Sequence, residues 1–322
     1  MIKLELPKQA EIKSNLTVLA TLYIALLAVS LAPIFIRFSE TELDANATVF
    51  NRLFIFVMVF GTGRGISHKF SNHQDASQQE SLTLQESLQH WLFLFAVGII
   101  SVMNLMLWTI SLEYTSVAKS VLLTNLTPVF ITLGSWLFLE KRFDNKFVAG
   151  LVIALFGATV LGLEDFQEGD STWLGDSCAT LSAVFIAIYF LMVEQLRNRF
   201  SAITILLWRG IIGSTLLLPI ILMSGKPLFP NSWIAWFAVI GLGLISEGFG
   251  QRLLADCMDK LSSGFISVFL LLEPIMSAIL AWGIFAENLS PTTWLGFAVV
   301  LCGIYLAKSS STTMKEASET SS

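Results

Sequence analysis

Ten stretches of this chain are continuously apolar over about the length that a helix needs to cross lipid. A membrane helix takes about 20 mostly apolar residues to span a hydrocarbon core of about 30 Å. Such runs fall near residues 17–36, 46–63, 91–110, 116–139, 146–163, 173–193, 202–223, 232–250, 263–285 and 292–308. The apolar residues are continuous rather than alternating, which excludes a lipid-facing β-barrel. The second run is the weakest, because Asn51 and Arg52 interrupt it. Links are short, apart from a Ser-, Gln- and His-rich segment at 64–90 that reads as a loop or surface helix. Residues 1–16 and 309–322 read as tails, the second one disordered. The N-terminal segment has no signal-sequence pattern, so the first apolar run counts as a membrane helix.

Composition agrees. Hydrophobic residues make up 54% and charged residues 13% of the chain, and mean hydropathy is +0.72. A soluble domain carries about one-quarter charged residues, so too little polar surface is present to cover a water-soluble globule. The lipid bilayer is therefore an expected partner. The net charge of −5 forms no basic stripe, which excludes nucleic acid as a partner. Cys178, Cys257 and Cys302 lie in or beside apolar segments and read as buried small hydrophobes, not as disulfide or metal ligands.

Lysine and arginine placement orients the chain. With the N-terminus in the cytoplasm, the inner segments hold Lys3, Lys8, Lys13, Arg64, Lys69, Lys141, Arg142, Lys146, Arg197, Arg199, Arg252, Lys260, Lys308 and Lys315. Only Arg37 and Lys226 fall outside, and Arg52, Lys119 and Arg209 lie in or beside spans. Ten spans with both ends inside satisfy this split. The link with Glu164, Asp165, Glu168 and Asp170 has no basic residue and falls outside.

The two halves repeat. At a shift of 146 residues, Ser116 meets Ser262, Leu126 meets Leu272, Pro128 meets Pro274, Trp136 meets Trp282, Gly150 meets Gly296 and Gly157 meets Gly303. Upstream, WLFLFAV at 91 resembles WIAWFAV at 233, and Arg52 in NRLF resembles Arg209 in WRGI. Five spans per half is an odd number, so the second half enters from the opposite side. An inverted repeat of this kind is a common construction of secondary transporters, with the solute site near mid-membrane.

The fourth-span run TSVAKSVLLTNLTPVFITLGSWLFLEKR and the ninth-span run FLLLEPIMSAILAWGIFAENLS resemble the drug/metabolite transporter superfamily, specifically EamA-type proteins. SLAPIFIRFSE in the first span and NRLF in the second fit as well. The resemblance covers about residues 17–308. It implies an all-α membrane protein with ten transmembrane helices as two inverted five-helix repeats, 17–163 and 173–308, working by alternating access. Members are similar to exporters of amino acids, metabolites and drugs, with relatives that exchange nucleotide sugars.

Charged groups in lipid cost several kcal/mol, roughly 2.5–3.5 on insertion scales, and usually face a cavity or a partner. Arg52 and Arg209 are the clearest cases. They form either a positive cavity for a carboxylate or other anion, or pairs with helix-end carbonyls, or snorkelling groups. Glu273, beside Pro274, is a candidate for proton coupling, since low-dielectric surroundings favour a protonated carboxyl, or for pairing with a cationic amine; the alternative is a part in a kinked helix. Pro128 and Pro274 are expected to kink their helices and free carbonyls. Asn104 and Trp108 share a helix face, and Thr124, Asn125 and Tyr189 add hydrogen-bonding groups suited to a pocket for a small solute. Interhelical hydrogen bonding is the alternative for these. Trp91, Trp173 and Trp233 read as interfacial belt residues. Glu247 and Arg252, at the inner end of span eight, read as a solvated interface pair, with a gate salt bridge as the alternative. Gly150, Ala154, Gly157 and Ala158 read as a close-packing face.

GLGLISEGFG lies inside a span and follows no strand, so it is not a dinucleotide loop; GTGRG lacks a phosphate-loop lysine. His68, His73 and His90 lack metal-ligand spacing. No enzyme motif, cofactor or ATP site is expected, so energy would come from a gradient. The expected function is secondary active export of small organic metabolites such as amino acids across the plasma (inner) membrane, driven by protons or a counter-solute. A nucleotide-sugar or phosphorylated-metabolite antiporter is the alternative, favoured by the two arginines; an intramembrane enzyme or a scaffold is more remote.

Overall fold

The structure, a computed structural model, describes residues 6–62, 84–115, 117–163, 172–285 and 291–310. Most of the 64–90 segment with His68 and His73, the acidic link at 164–171, Ser116 and the tail from 311 lie outside the described residues. Among the described residues, helical segments follow the apolar runs and are numbered α1 to α10 in chain order. They are α1 (Leu6–Ser30, continued as Ala32–Ser39), α2 (Ala45–Phe56, continued as Val57–Gly61), α3 (Leu84–Tyr114), α4 (Val117–Thr124 and Thr127–Phe138) and α5 (Asn145–Leu163). The second set is α6 (Trp173–Leu196), α7 (Ala202–Ser224), α8 (Trp233–Gly241, Leu242–Gln251 and Arg252–Cys257), α9 (Ser263–Leu270 and Glu273–Phe285) and α10 (Pro291–Lys308). Among the described residues, eight helices are long and apolar enough to cross a membrane; α2 and α5 provide two shorter apolar helices.

Prolines lie at the helix breaks. Pro128 has no N–H to offer the Thr124 carbonyl, and the Thr127 hydroxyl donates to that oxygen instead at 2.6 Å. In α9 the helix stops at Leu270 and restarts at Glu273, so Pro274 sits in the first turn of the new segment. Pro33 divides α1 in the same way. The Ser30 carbonyl near that break accepts from the Ser277 hydroxyl of α9 at 3.0 Å. The breaks in α4 and α1 thus offer carbonyls to a neighbouring turn or helix, which is how irregular backbone survives inside lipid.

Small residues set the tightest seam. A Cβ at Gly150 would lie 2.6 Å from the Gly303 carbonyl oxygen and 2.5 Å from the Ala307 nitrogen. One at Gly157 would lie 3.0 Å from the Gly296 carbonyl and 2.7 Å from the Val300 nitrogen, and one at Gly303 would lie 2.4 Å from the Ala154 nitrogen. Numbers on α5 rise as those on α10 fall, so the two rods pack antiparallel, backbone against backbone. The small face on Gly150, Ala154, Gly157 and Ala158 is a packing face. Other principal contacts join α3 to α6 and α7, α2 to α7 and α8, α1 to α8 and α9, and α4 to α6 and α9.

Ion pairs fasten the ends of the rods. Lys119 meets Asp176 where α4 and α6 begin, and Asp176 also accepts from Thr115 at 2.9 Å. At the other end of the same rods, Lys141 reaches Glu194 at 2.6 Å. Lys119 lies with Asp176 and Lys141 with Glu194, so α4 and α6 run parallel. Glu42 accepts the Asn231 and Ser232 backbone N–H groups at 2.7 and 3.1 Å, capping α8. Hydrogen bonds from Ser232 and from these backbone groups hold its carboxyl below the usual carboxylate range. That lowered folded value makes the contribution present at neutral pH and lost as pH falls through the carboxylate range.

Trp173 and Trp233 are highly exposed and Trp91 half-exposed, as belt residues would be. Cys257 is buried and Cys178 partly so, but Cys302 is exposed. The expectation of three buried cysteines is therefore corrected: Cys302 lies on the outer face of α10, where lipid rather than protein is its apolar surrounding.

Gly303→Leu should lower the thermal midpoint of the detergent-purified protein by several degrees, because overpacking costs about 1–3 kcal/mol or more. Gly283→Leu, at a position with nothing within 4 Å of an added Cβ, should leave it unchanged. Equal midpoints for the two variants would contradict the close seam.

Candidate functional site

Three charged side chains meet inside the bundle. Arg52 lies eight residues into α2, and Arg209 eight residues into α7. At about 1.5 Å per residue these positions lie some 10–13 Å from the nearest rod ends. Glu247 of α8 accepts from Arg52 Nε at 2.7 Å with one oxygen and from Arg209 Nη1 at 2.8 Å with the other. Its side chain is 0% exposed, and each arginine side chain is 16% exposed. Arg209 Nε donates to the Ser101 hydroxyl of α3 at 2.7 Å. Its guanidinium lies 5.0 Å from the centre of the Tyr189 ring of α6, with Nη1 3.5 Å from the phenol oxygen. Five rods thus converge on one cluster.

A widened helix brings Glu247 there. Residues Leu242–Gln251 form a π-helical segment between two α-helical ones. Such turns are rare and tend to occur at functional sites. The glycines of GLGLISEGFG make room for it: a Cβ at Gly243 would lie 3.1 Å from the Arg52 carbonyl, and one at Gly248 would lie 2.5 Å from the Phe60 ring. A second π segment, Val57–Gly61, follows Arg52 on α2. The backbone distortions therefore flank the charges from both partner rods.

The expected solvated pair of Glu247 with Arg252 is corrected. Glu247 is fully buried on the two arginines, while Arg252 is exposed and approaches Asp256 at 3.8 Å. Span eight does not end near 250 but runs on to Cys257, which places Glu247 deeper than the apolar run indicates. Arg52, Arg209 and Tyr189, all expected to line a solute site, come together in this one cluster. Glu273 of α9 lies within the field of the Arg52 guanidinium. Asn104 sits one turn from Ser101 and accepts from the Ser182 hydroxyl of α6 at 2.8 Å, joining α3 to α6 beside the cluster.

Thr124, Asn125 and Trp108 are not joined to the cluster by any described contact. The Thr124 hydroxyl donates to the Ser120 and Val121 carbonyls of its own helix at 3.0 and 2.9 Å. Asn125 lies in the break of α4, and its backbone N–H donates to Val121 at 2.9 Å. Trp108 lends its carbonyl to Ser111 at 2.7 Å. Among the described residues, no group of three or more His, Cys, Asp or Glu is placed to hold a metal. What the cluster offers instead is hydrogen-bond donors and charge: Arg52 engages Glu247 through Nε alone, and Arg209 uses Nε and Nη1.

A model of the EamA-like transporter family matches residues 15–163 and again 173–308. An uncharacterized transporter of Archaeoglobus fulgidus is 28% identical over 66% of this chain and 75% of its own. The uncharacterized transporter YoaV of Bacillus subtilis is 21% identical over 71% of this chain and 79% of its own. A solved crystal structure at 16% identity covers 90% of this chain and 96% of that one with a TM-score of 0.72, a likeness of fold.

Removing one partner of a buried ion cluster leaves uncompensated charge and costs about 3–5 kcal/mol. Glu247→Leu should therefore destabilise the purified protein by about that amount. Adding Arg52→Leu should return part of the loss, measured as a double-mutant cycle in thermal unfolding. Additive losses would show that the two side chains do not depend on each other.

Proposed function

Because the chain belongs to the EamA-like transporter family, we propose that it is a secondary active carrier that exports small organic metabolites such as amino acids by alternating access. The observation that carries this reading is the buried Arg52–Glu247–Arg209 cluster, to which the first half contributes Arg52 and Ser101 and the second half Arg209, Glu247 and Tyr189. A solute held there touches both halves at once, so a change in their relative position exposes it to one side or the other.

An inverted repeat of ten membrane helices, 17–163 and 173–308, supplies the mechanical basis. The packing supports it. Exchanging the halves maps the α3–α6 contact onto α1–α8, α4–α6 onto α1–α9, and α3–α7 onto α2–α8. The pairs α2–α7, α4–α9 and α5–α10 map onto themselves. The correspondence reaches individual residues: Gly150 against Gly303 becomes Gly157 against Gly296, and Gly157 against Val300 becomes Ala154 against Gly303. A pseudo-twofold in the membrane plane produces such reciprocity. The basic residues support a placement of both termini in the cytoplasm, and in this reading the membrane is the plasma (inner) membrane.

In this reading the charged fasteners at the rod ends act as gates: Lys119 with Asp176 at the outer face and Lys141 with Glu194 at the inner face. Glu273 couples the cycle to protons, its charge acting on the arginine that the solute also meets.

Vesicles reconstituted with the protein and loaded with labelled amino acids should show saturable efflux. Flat traces across a broad metabolite panel would remove the carrier reading. Glu273→Gln should keep flux in a solute gradient but lose its dependence on an imposed pH gradient; an unaltered dependence would dismiss Glu273 as the coupling group. Impermeant labels should reach 164–172 and 64–90 from opposite sides of the membrane.

A further inference from the structure

The charges inside the bundle can be counted. Among the described residues, the charged groups acting on one another there are Arg52, Arg209, Glu247 and Glu273, with the neutral Tyr189 beside them. Glu247 spends one oxygen on each arginine. It therefore cancels one positive charge while leaving both guanidinium groups in place. Arg52 keeps both terminal nitrogens without a described acceptor, and Arg209 keeps one. The site is thus rich in donors but poor in net charge: one positive charge when Glu273 holds a proton, and none when it does not.

That count discriminates between solutes. A simple monocarboxylate leaves the cluster at zero or at minus one, and a zwitterionic amino acid, whose ammonium offsets its one anionic group, leaves it at plus one or zero. A dianion leaves it at minus one or minus two, in surroundings where uncompensated charge is costly. Two arginines alone would suit a phosphate monoester; two arginines sharing a buried carboxylate do not.

We propose that Glu247 is the specificity-determining residue of the site. It trims a pair of arginines to a receptor for solutes with a single anionic group, such as a monocarboxylate, and turns away dianions such as phosphate monoesters. The inference rests on the carrier reading and narrows it, because the sequence alone had made the two arginines an argument for phosphorylated solutes.

The test uses the full chain in vesicles. Efflux of a labelled monocarboxylate panel (leucine, alanine, pyruvate and lactate) is measured with glycerol 3-phosphate and glucose 6-phosphate as competitors, and the two phosphates are also offered as labelled solutes. Wild type should move at least one monocarboxylate and be inhibited at least tenfold more weakly by the phosphates than by unlabelled monocarboxylate. Glu247→Gln should narrow that ratio by tenfold or more, and Glu247→Asp, which keeps the charge, should retain it. Equal competition by phosphates in wild type, or an unchanged ratio in an active E247Q protein, overturns the proposal. So does flux confined to neutral amines or cations, an outcome that leaves the carrier reading standing. Absence of flux for every solute in a broad panel sinks the carrier reading and this proposal with it. The wild-type comparison decides the question by itself when E247Q does not survive purification.

Discussion

The structure turns on one buried carboxylate shared between two arginines. A lone arginine in the middle of a bundle is a liability, and two would repel each other across a low-dielectric space. Glu247 resolves both problems at once, since each of its oxygens faces one guanidinium. The arrangement also fixes where three rods stand, because α2, α7 and α8 must present those side chains to a common point. Ser101 and Tyr189 extend the constraint to α3 and α6. The polar centre acts as a registration point for these five helices, with the Asn104–Ser182 hydrogen bond adding a second polar tie between α3 and α6.

Two kinds of packing surround that centre, and they differ in what they permit. Along α5 and α10, glycine and alanine bring the backbones so close that an added methyl has no room. Such a seam has a single good arrangement and holds by many small dispersion contacts. At the ends of α4 and α6, contact includes two lysine–carboxylate pairs of different exposure. Lys119 and Asp176 are both partly exposed, and water can take over their partners at little cost. Glu194 is buried and also accepts from the Ser263 hydroxyl at 2.6 Å, so releasing Lys141 from it is costlier. The fold thus combines an apolar seam that resists sliding with one polar fastener that can be exchanged for solvent and one that is anchored.

Much of this was legible in the sequence, and the exceptions have physical causes. Apolar run length gave the rods, because lipid demands continuous hydrophobicity and leaves no other signal to confuse it. Arg52 and Arg209 stood out as charges where charge is expensive. Glu247 was misplaced because counting along an ideal helix ends span eight near residue 250, whereas the rod continues to Cys257 through a π-helical segment. Its signal was present in the glycines of GLGLISEGFG, which are poor helix formers yet essential where Gly243 and Gly248 meet α2. Thr124 looked like a pocket hydroxyl, but a threonine in a helix can satisfy itself on the preceding turn. Cys302 looked buried because apolar character in a membrane chain does not distinguish a protein neighbour from lipid.

Proline and glycine differ in how far their effects can be read from the sequence. Proline acts locally: its missing N–H strands one carbonyl, and the consequence is visible in Thr127 covering Thr124. Glycine acts at a distance, through what approaches it. At Gly150 the partner lies 153 residues away on α10, by subtraction from Gly303, and the internal repeat is what allows such a partner to be guessed. Where the repeat is exact in residue type, as at Gly150 with Gly296 and Gly157 with Gly303, the seam could be anticipated as a packing face. Where the halves differ, as at Thr127 and Glu273, symmetry gives no guide. Those are also the positions at which the two halves differ in chemistry, since a hydroxyl that caps a break in α4 is replaced in α9 by an acid within the field of Arg52.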